Sequence, residues 1–173
     1  PVCAEQLGQF ENTIAHVEAG DEQAEARLPV LLSQLKLDCP PTTADLAEKR
    51  AKAQALRLCD KERAILAVAL LAEDLTAAER SLPRFHYCTD KLAADAAAKV
   101  AALKKLKDAA EQGAPGDPQH EHCLRMFREI RDATDEGKSE YVSKLLEDVP
   151  FQYGSCTGSE FYFAAKEYVA HPW

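Results

Sequence analysis

The chain has 173 residues, a formal net charge of −8 and six cysteines. Such a length can bury an ordinary core without cross-links. The acidic balance speaks against a nucleic-acid backbone binder, which needs a basic face, and no apolar run reaches the roughly 18–20 residues of a membrane span. Alanine supplies 30 residues, so the 46% hydrophobic fraction overstates the bulk available to a core, since Ala brings one methyl where Leu brings an isobutyl group.

The periodicity is helical almost throughout, and no stretch alternates β-branched residues with period two. The fold class that follows is all-α: an irregular antiparallel bundle of six to eight helices, stapled by disulfides, with no sheet. A single domain is read over 1–173, in three segments: an N-terminal hairpin (1–39), a long-helix core (42–112), and C-terminal helices with an aromatic cluster (119–173). In the first helix, Leu7, Phe10, Ile14 and Val17 share a face. Gly20-Asp21 then offers a C′ glycine and an N-cap. The second helix carries Leu28, Leu31, Leu32 and Leu35; Pro29 either kinks it or opens it after a longer first helix.

From Thr42 to Ser81 neither Gly nor Pro occurs. This is one long helix, or two broken near Cys59-Asp60. Its first half has a thin stripe of Leu46, Ala53 and Leu56; residues 64–72 are apolar on every face and read as the centre of the core. Leu82-Pro83 stops the helix and Asp90 caps the next, which points Leu92, Ala96, Val100, Leu103 and Leu106 inward and pairs Asp95 with Lys99 at i,i+4. Residues 113–118 are the clearest loop. Beyond it come a helix with Leu124, Phe127 and Ile130 inward, a turn at Gly137, a helix Ser139–Asp148, a loop from Pro150 to Gly158, and a last helix from about Ser159 to Ala170.

Cys3, Cys39, Cys59, Cys88, Cys123 and Cys156 are spaced 36, 20, 29, 35 and 33 residues apart, far from the spacing of a zinc knuckle or a redox dithiol. Three long-range staples in an oxidising compartment are expected. Cys3 and Cys39 lie equally far from the turn at position 21, so an antiparallel hairpin brings them together; Cys123 and Cys156 flank Gly137 almost as symmetrically. Cys59 and Cys88 remain; either the long helix bends near Asp60 to let them pair, or Cys59 pairs with Cys123 and Cys88 goes elsewhere. A first residue that is Pro rather than Met matches a mature chain that has lost a signal peptide, so the expected location is secreted or periplasmic.

No nucleophile elbow, P-loop, dinucleotide fingerprint or zincin motif occurs. His120-Glu121-His122 is the densest group of metal-capable side chains, but residues two apart on a helix point to different sides. Glu73-Asp74, beside the apolar run, is expected to face an arginine such as Arg80, or solvent. No catalytic residue, metal ligand or cofactor is assigned. Eight of the twelve aromatics lie in the last 33 residues, and Phe161, Tyr162 and Phe163 are consecutive and cannot all face one core. Tyr153, Tyr162 and Trp173 are the candidate partner-binding residues, since Tyr and Trp dominate interface hot spots.

The function expected is that of an extracytoplasmic helical protein that binds a protein partner, as an inhibitor, immunity-type protein, receptor module or secreted effector. One alternative is a carrier of a small apolar ligand held around Ile65, Leu66, Val68, Leu70 and Leu71. A second is an enzyme whose site is assembled from scattered residues.

Overall fold

The structure is a computed structural model and describes residues 2–112 and 118–171. Pro118, the end of the expected 113–118 loop, opens a helix; residues 113–117 of that loop, and Trp173, lie outside the described residues. Among these, eight α-helices and two short 3-10 segments are joined by tight turns, and there is no strand. The helices are α1 (Val2–Glu18), α2 (Glu22–Asp38), α3 (Pro41–Leu71), α4 (Leu75–Ser81), α5 (Asp90–Gln112), α6 (Pro118–Asp135), α7 (Ser139–Gln152) and α8 (Glu160–Ala170). Contacts divide the chain into two compact units, Pro1–Lys61 and Glu62–Trp173, and the boundary falls inside α3.

In the first unit, α1 ends at Gly20, whose φ of 88° only glycine adopts without strain. Asp21 caps α2 by accepting hydrogen bonds from the N–H groups of Gln23 and Ala24. Pro29 stands inside α2, so it neither opens that helix nor lengthens α1; the helix tolerates one missing backbone N–H on an exposed face. Phe10, Ile14, Leu35 and Ala47 form the core, closed at the edge by Leu7, Leu28, Leu32, Cys39 and Ala51.

The face of α3 that turns inward here is not the leucine stripe. Leu46 and Leu56 are 67% and 64% exposed, and Ala53 is also outside. Ala44, Ala47, Gln54 and Leu58 are buried instead, with Ala51 half-buried between them, in a regular alternation of three and four residues. Small side chains let α3 approach closely, and Gln54 donates its amide to the Ile14 carbonyl at 2.7 Å. Exposed ion pairs frame this contact: Arg57 with Glu18 at 2.8 Å, Arg50 with Glu11, and Lys36 with Glu48 at 2.9 Å. The Lys36 ammonium, helped by Lys52, holds the Glu48 carboxyl down at about 2.

The second unit holds the larger core, built from Leu66, Leu70, Phe85, Val100, Leu103, Leu106, Met126, Phe127, Ile130, Val149, Phe161 and Tyr168 among others. Residues 64–72 are not its centre. Leu66, Ala69 and Leu70 are buried, but Ile65, Val68 and Leu71 are 44%, 69% and 63% exposed. This run is therefore a boundary helix with one face in and one face out. It does not break at Cys59-Asp60; it ends at Leu71, where Glu73 takes a φ of 53° and Asp74 caps α4 by accepting from the Ala77 N–H.

Two further boundaries differ from expectation. Thr89, not Asp90, caps α5, accepting from the Leu92 N–H at 3.3 Å. α7 runs on through Pro150 to Gln152, so the expected loop shrinks to a 3-10 turn at Gly154–Cys156 before Ser159 caps α8. α8 packs against both α5 and α6, and α7 against α6. Cys3 is bridged to Cys39, with Cα atoms 5.0 Å apart, and Cys123 to Cys156 at 5.5 Å, the two pairings that hairpin symmetry predicts. Cys59 and Cys88 are also disulfide-bonded, and no cysteine is free.

Candidate functional site

The outer face of α6 is laid out by helical spacing. With Cys123, Met126, Phe127 and Ile130 facing the core, His122 and Glu129 fall on the half-buried flank beside that stripe and Arg125 on the exposed side. Glu129 there holds two phenols at once. Tyr141 of α7 donates its hydroxyl to one carboxylate oxygen at 3.0 Å, and Tyr153, the residue after α7, donates to the other at 3.1 Å. The Tyr153 ring lies 4.6 Å from the His122 ring, and His122 Nε2 is 3.3 Å from the Gln152 carbonyl. Hydrogen bonding to Glu129 pushes the Tyr141 phenol above its ordinary value; for Tyr153 burial is the larger cause and Glu129 adds to it. Tyr141 is nevertheless 46% exposed, and Phe151, two residues before Tyr153, is 87% exposed. The result is a pair of phenols whose orientation is fixed by one carboxylate.

Of the three residues expected to bind a partner, Tyr153 belongs to this face. Tyr162 does not share its contacts: its ring sits 6.3 Å from that of Phe163, with the Lys166 ammonium 5.5 Å over it. Of the three consecutive aromatics, Phe161 is buried, Tyr162 half-buried and Phe163 exposed. His120 and His122 turn to different rings, His120 meeting Phe161 edge-on at 4.9 Å. Among the described residues no group of three or more His, Cys, Asp or Glu side chains is placed to hold a metal ion.

The second unit also contains a charged network that the sequence reading misplaced. Lys99 does not form a surface pair with Asp95. It is completely buried, its ammonium 3.6 Å from the centre of the Tyr168 ring and 3.8 Å from Asp135. Burial brings the lysine down to about 8, opposed by the charges of Asp135 and Asp95. Tyr168 donates its hydroxyl to Asp135 at 2.8 Å, and burial, reinforced by that carboxylate, pushes its phenol well above the usual range. Asp95 is bonded instead to Lys91 at 2.7 Å and to His171 at 2.9 Å, which together hold its carboxyl down. Glu73 faces Arg128 and Arg131 rather than Arg80, at 2.8 Å each, and the Arg128 guanidinium keeps its carboxyl low. The register of α5 carried the signal for Lys99. It stands three residues after Ala96 and next to Val100, on the stripe already read as inward.

Where α3 meets the end of α6, an open groove of about 500 Å³ is lined by Ala67, Val68 and Leu71 on one side and Asp132, Asp135 and Glu136 on the other. In comparisons with protein-family models, curated proteins and solved structures, nothing matches this chain. Its function has to be argued from these surfaces alone.

Proposed function

We propose that this chain is an extracytoplasmic, disulfide-stapled helical protein that acts by binding a protein partner, and that the ring-bearing face of α6 and α7 is its contact surface. The observation that carries this reading is the double grip of Glu129 on Tyr141 and Tyr153; Phe151, at the end of α7 two residues before Tyr153, is also strongly exposed. Exposed rings usually lose rotamer freedom on binding, about 0.5–1.5 kcal/mol for each immobilised side chain. Here the phenols are already fixed, so their ring faces meet a partner at little entropic cost. Arg125 beside them supplies the third residue type enriched in hot spots. Full oxidation of the cysteines supports secretion or the periplasm, because cytosolic thiols are kept reduced. No described helix is long and apolar enough to cross a membrane.

The test is affinity capture under oxidising conditions, from the fluid or extract of the source, with the natural chain and a Tyr141→Ala/Phe151→Ala variant side by side. The expected result is a stoichiometric protein that the natural chain retains and the variant loses. Equal retention by both would overturn the assignment of this face. Recovery of a bound lipid and no protein would favour a carrier of apolar ligands instead.

A further inference from the structure

A second surface, separate from the rings, has its own chemistry. Val68 and Leu71 are among the most exposed large apolar side chains of the second unit, at 69% and 63%, and they stand one turn apart on α3. With Ala67 they form the apolar side of the groove described above. Its other side is entirely carboxylate: Asp132, Asp135 and Glu136, with side chains 50%, 31% and 56% exposed. Among the described residues no basic side chain lines it. Two of the cations that answer these carboxylates lie beneath the surface: Arg131 under Asp132, 7% exposed, and Lys99 under Asp135, fully buried. Lys138, which pairs with Glu136, reaches solvent, as does Arg128, whose guanidinium also feels the Asp132 charge. A molecule entering the groove therefore meets aliphatic carbon on one flank and carboxylate oxygens on the other.

We infer that this groove docks a cationic amphipathic segment of a protein partner, with an apolar side chain against Val68 and Leu71 and lysine or arginine side chains against Asp132 and Glu136. The pairing follows from complementarity. An anionic or uniformly apolar segment would strip water from the carboxylates and return nothing, whereas a basic amphipathic helix offers both chemistries at spacings of three and four residues. Asp135 is the pivot of the wall: it accepts the Tyr168 hydroxyl and faces Lys99, so its position is set from inside the fold.

The probe is a fluorescein-labelled helical peptide of leucine and lysine in amphipathic register, titrated against the full oxidised chain and read by anisotropy. Its counterpart carries glutamate for every lysine. Saturable one-to-one binding of the lysine peptide is expected, with none of the glutamate peptide. Val68→Ser/Leu71→Ser and Asp132→Asn/Glu136→Gln should each weaken binding by about tenfold or more. Leu46→Ser/Leu56→Ser, which removes exposed leucines of the first unit, should leave it unchanged. Circular dichroism confirms that the variants fold, and Asp135 is left intact because it supports Lys99 and Tyr168. The inference is overturned if the groove variants bind as tightly as the natural chain, if the lysine peptide fails to saturate, or if both peptides bind alike. It is also overturned if sedimentation shows a dimer that Val68→Ser/Leu71→Ser dissociates, since the occupant would then be a second copy. None of these readouts depends on Tyr141 or Phe151.

Discussion

Lys99, buried within the charged network of the second unit, makes a sharp prediction about stability. In the fold Lys99 loses its proton near 8, against an ordinary value of 10.5. Between those two values the unfolded chain binds more protons than the folded one, so stability rises as the pH climbs through that window. Below about 8 the full cost of a buried charge is present, about 3 kcal/mol at neutral pH from a displacement of this size. Lys99→Met keeps the stem against Tyr168 and removes the charge. Asp135 is not stranded by the change, because it retains the Tyr168 hydroxyl and some contact with water. The variant should therefore be more stable than the natural chain by about 3 kcal/mol near pH 7, with the gain shrinking to about 1 kcal/mol near pH 9.5. Urea unfolding of both proteins at the two pH values measures this directly. A variant less stable at neutral pH, or a difference that does not change with pH, would show that the ammonium contributes more to the fold than its burial costs.

Two further outcomes follow from the first unit. Replacing Cys3 and Cys39 by serine opens a loop of 36 residues. The loss should be about 3–4 kcal/mol by the chain-entropy estimate. Because that unit has only a small core, hydrogen exchange should lose protection over α1 and α2 while α5 to α8 keep theirs; a uniform loss would refute this. On α3 the two kinds of apolar residue should behave in opposite ways. Ala47→Leu, at a position packed with Phe10, Ile14 and Leu35, should destabilise by about 1–3 kcal/mol. Leu46→Gln, at an exposed position, should stay within about 0.5 kcal/mol, both read from denaturant midpoints.

That contrast also marks what the sequence could and could not convey. Helix content, the Gly20 and Gly137 turns and the two hairpin staples were all legible, because they depend on local signals and on symmetry about a turn. The orientation of α3 was not. A search for bulky apolar residues selects Leu46 and Leu56, while close packing of α3 selects Ala44, Ala47 and Ala51, which carry almost no hydropathy signal. The same preference for bulk made residues 64–72 look like a core when only Leu66, Ala69 and Leu70 are inside. At the site, the late clustering of aromatics pointed to Tyr153 but not to Glu129, which gathers Tyr141 and Tyr153 from positions 12 and 24 residues away. Lys99 is in register with the buried stripe of α5, but its residue type argues the other way, since a lysine on a helix ordinarily faces water.

The two hairpin bridges have one more consequence, for what happens when the backbone is cut. Exposed glycine turns are favoured places for proteases to enter, and the chain presents them at Gly20 and Gly137. The first lies between Cys3 and Cys39, the second between Cys123 and Cys156. A cleavage at either turn therefore falls within a covalently closed loop. The severed pieces stay tethered at the far ends of their helices, so in an environment with proteases the molecule could be nicked at both tips and still remain one covalent body until its disulfides were reduced.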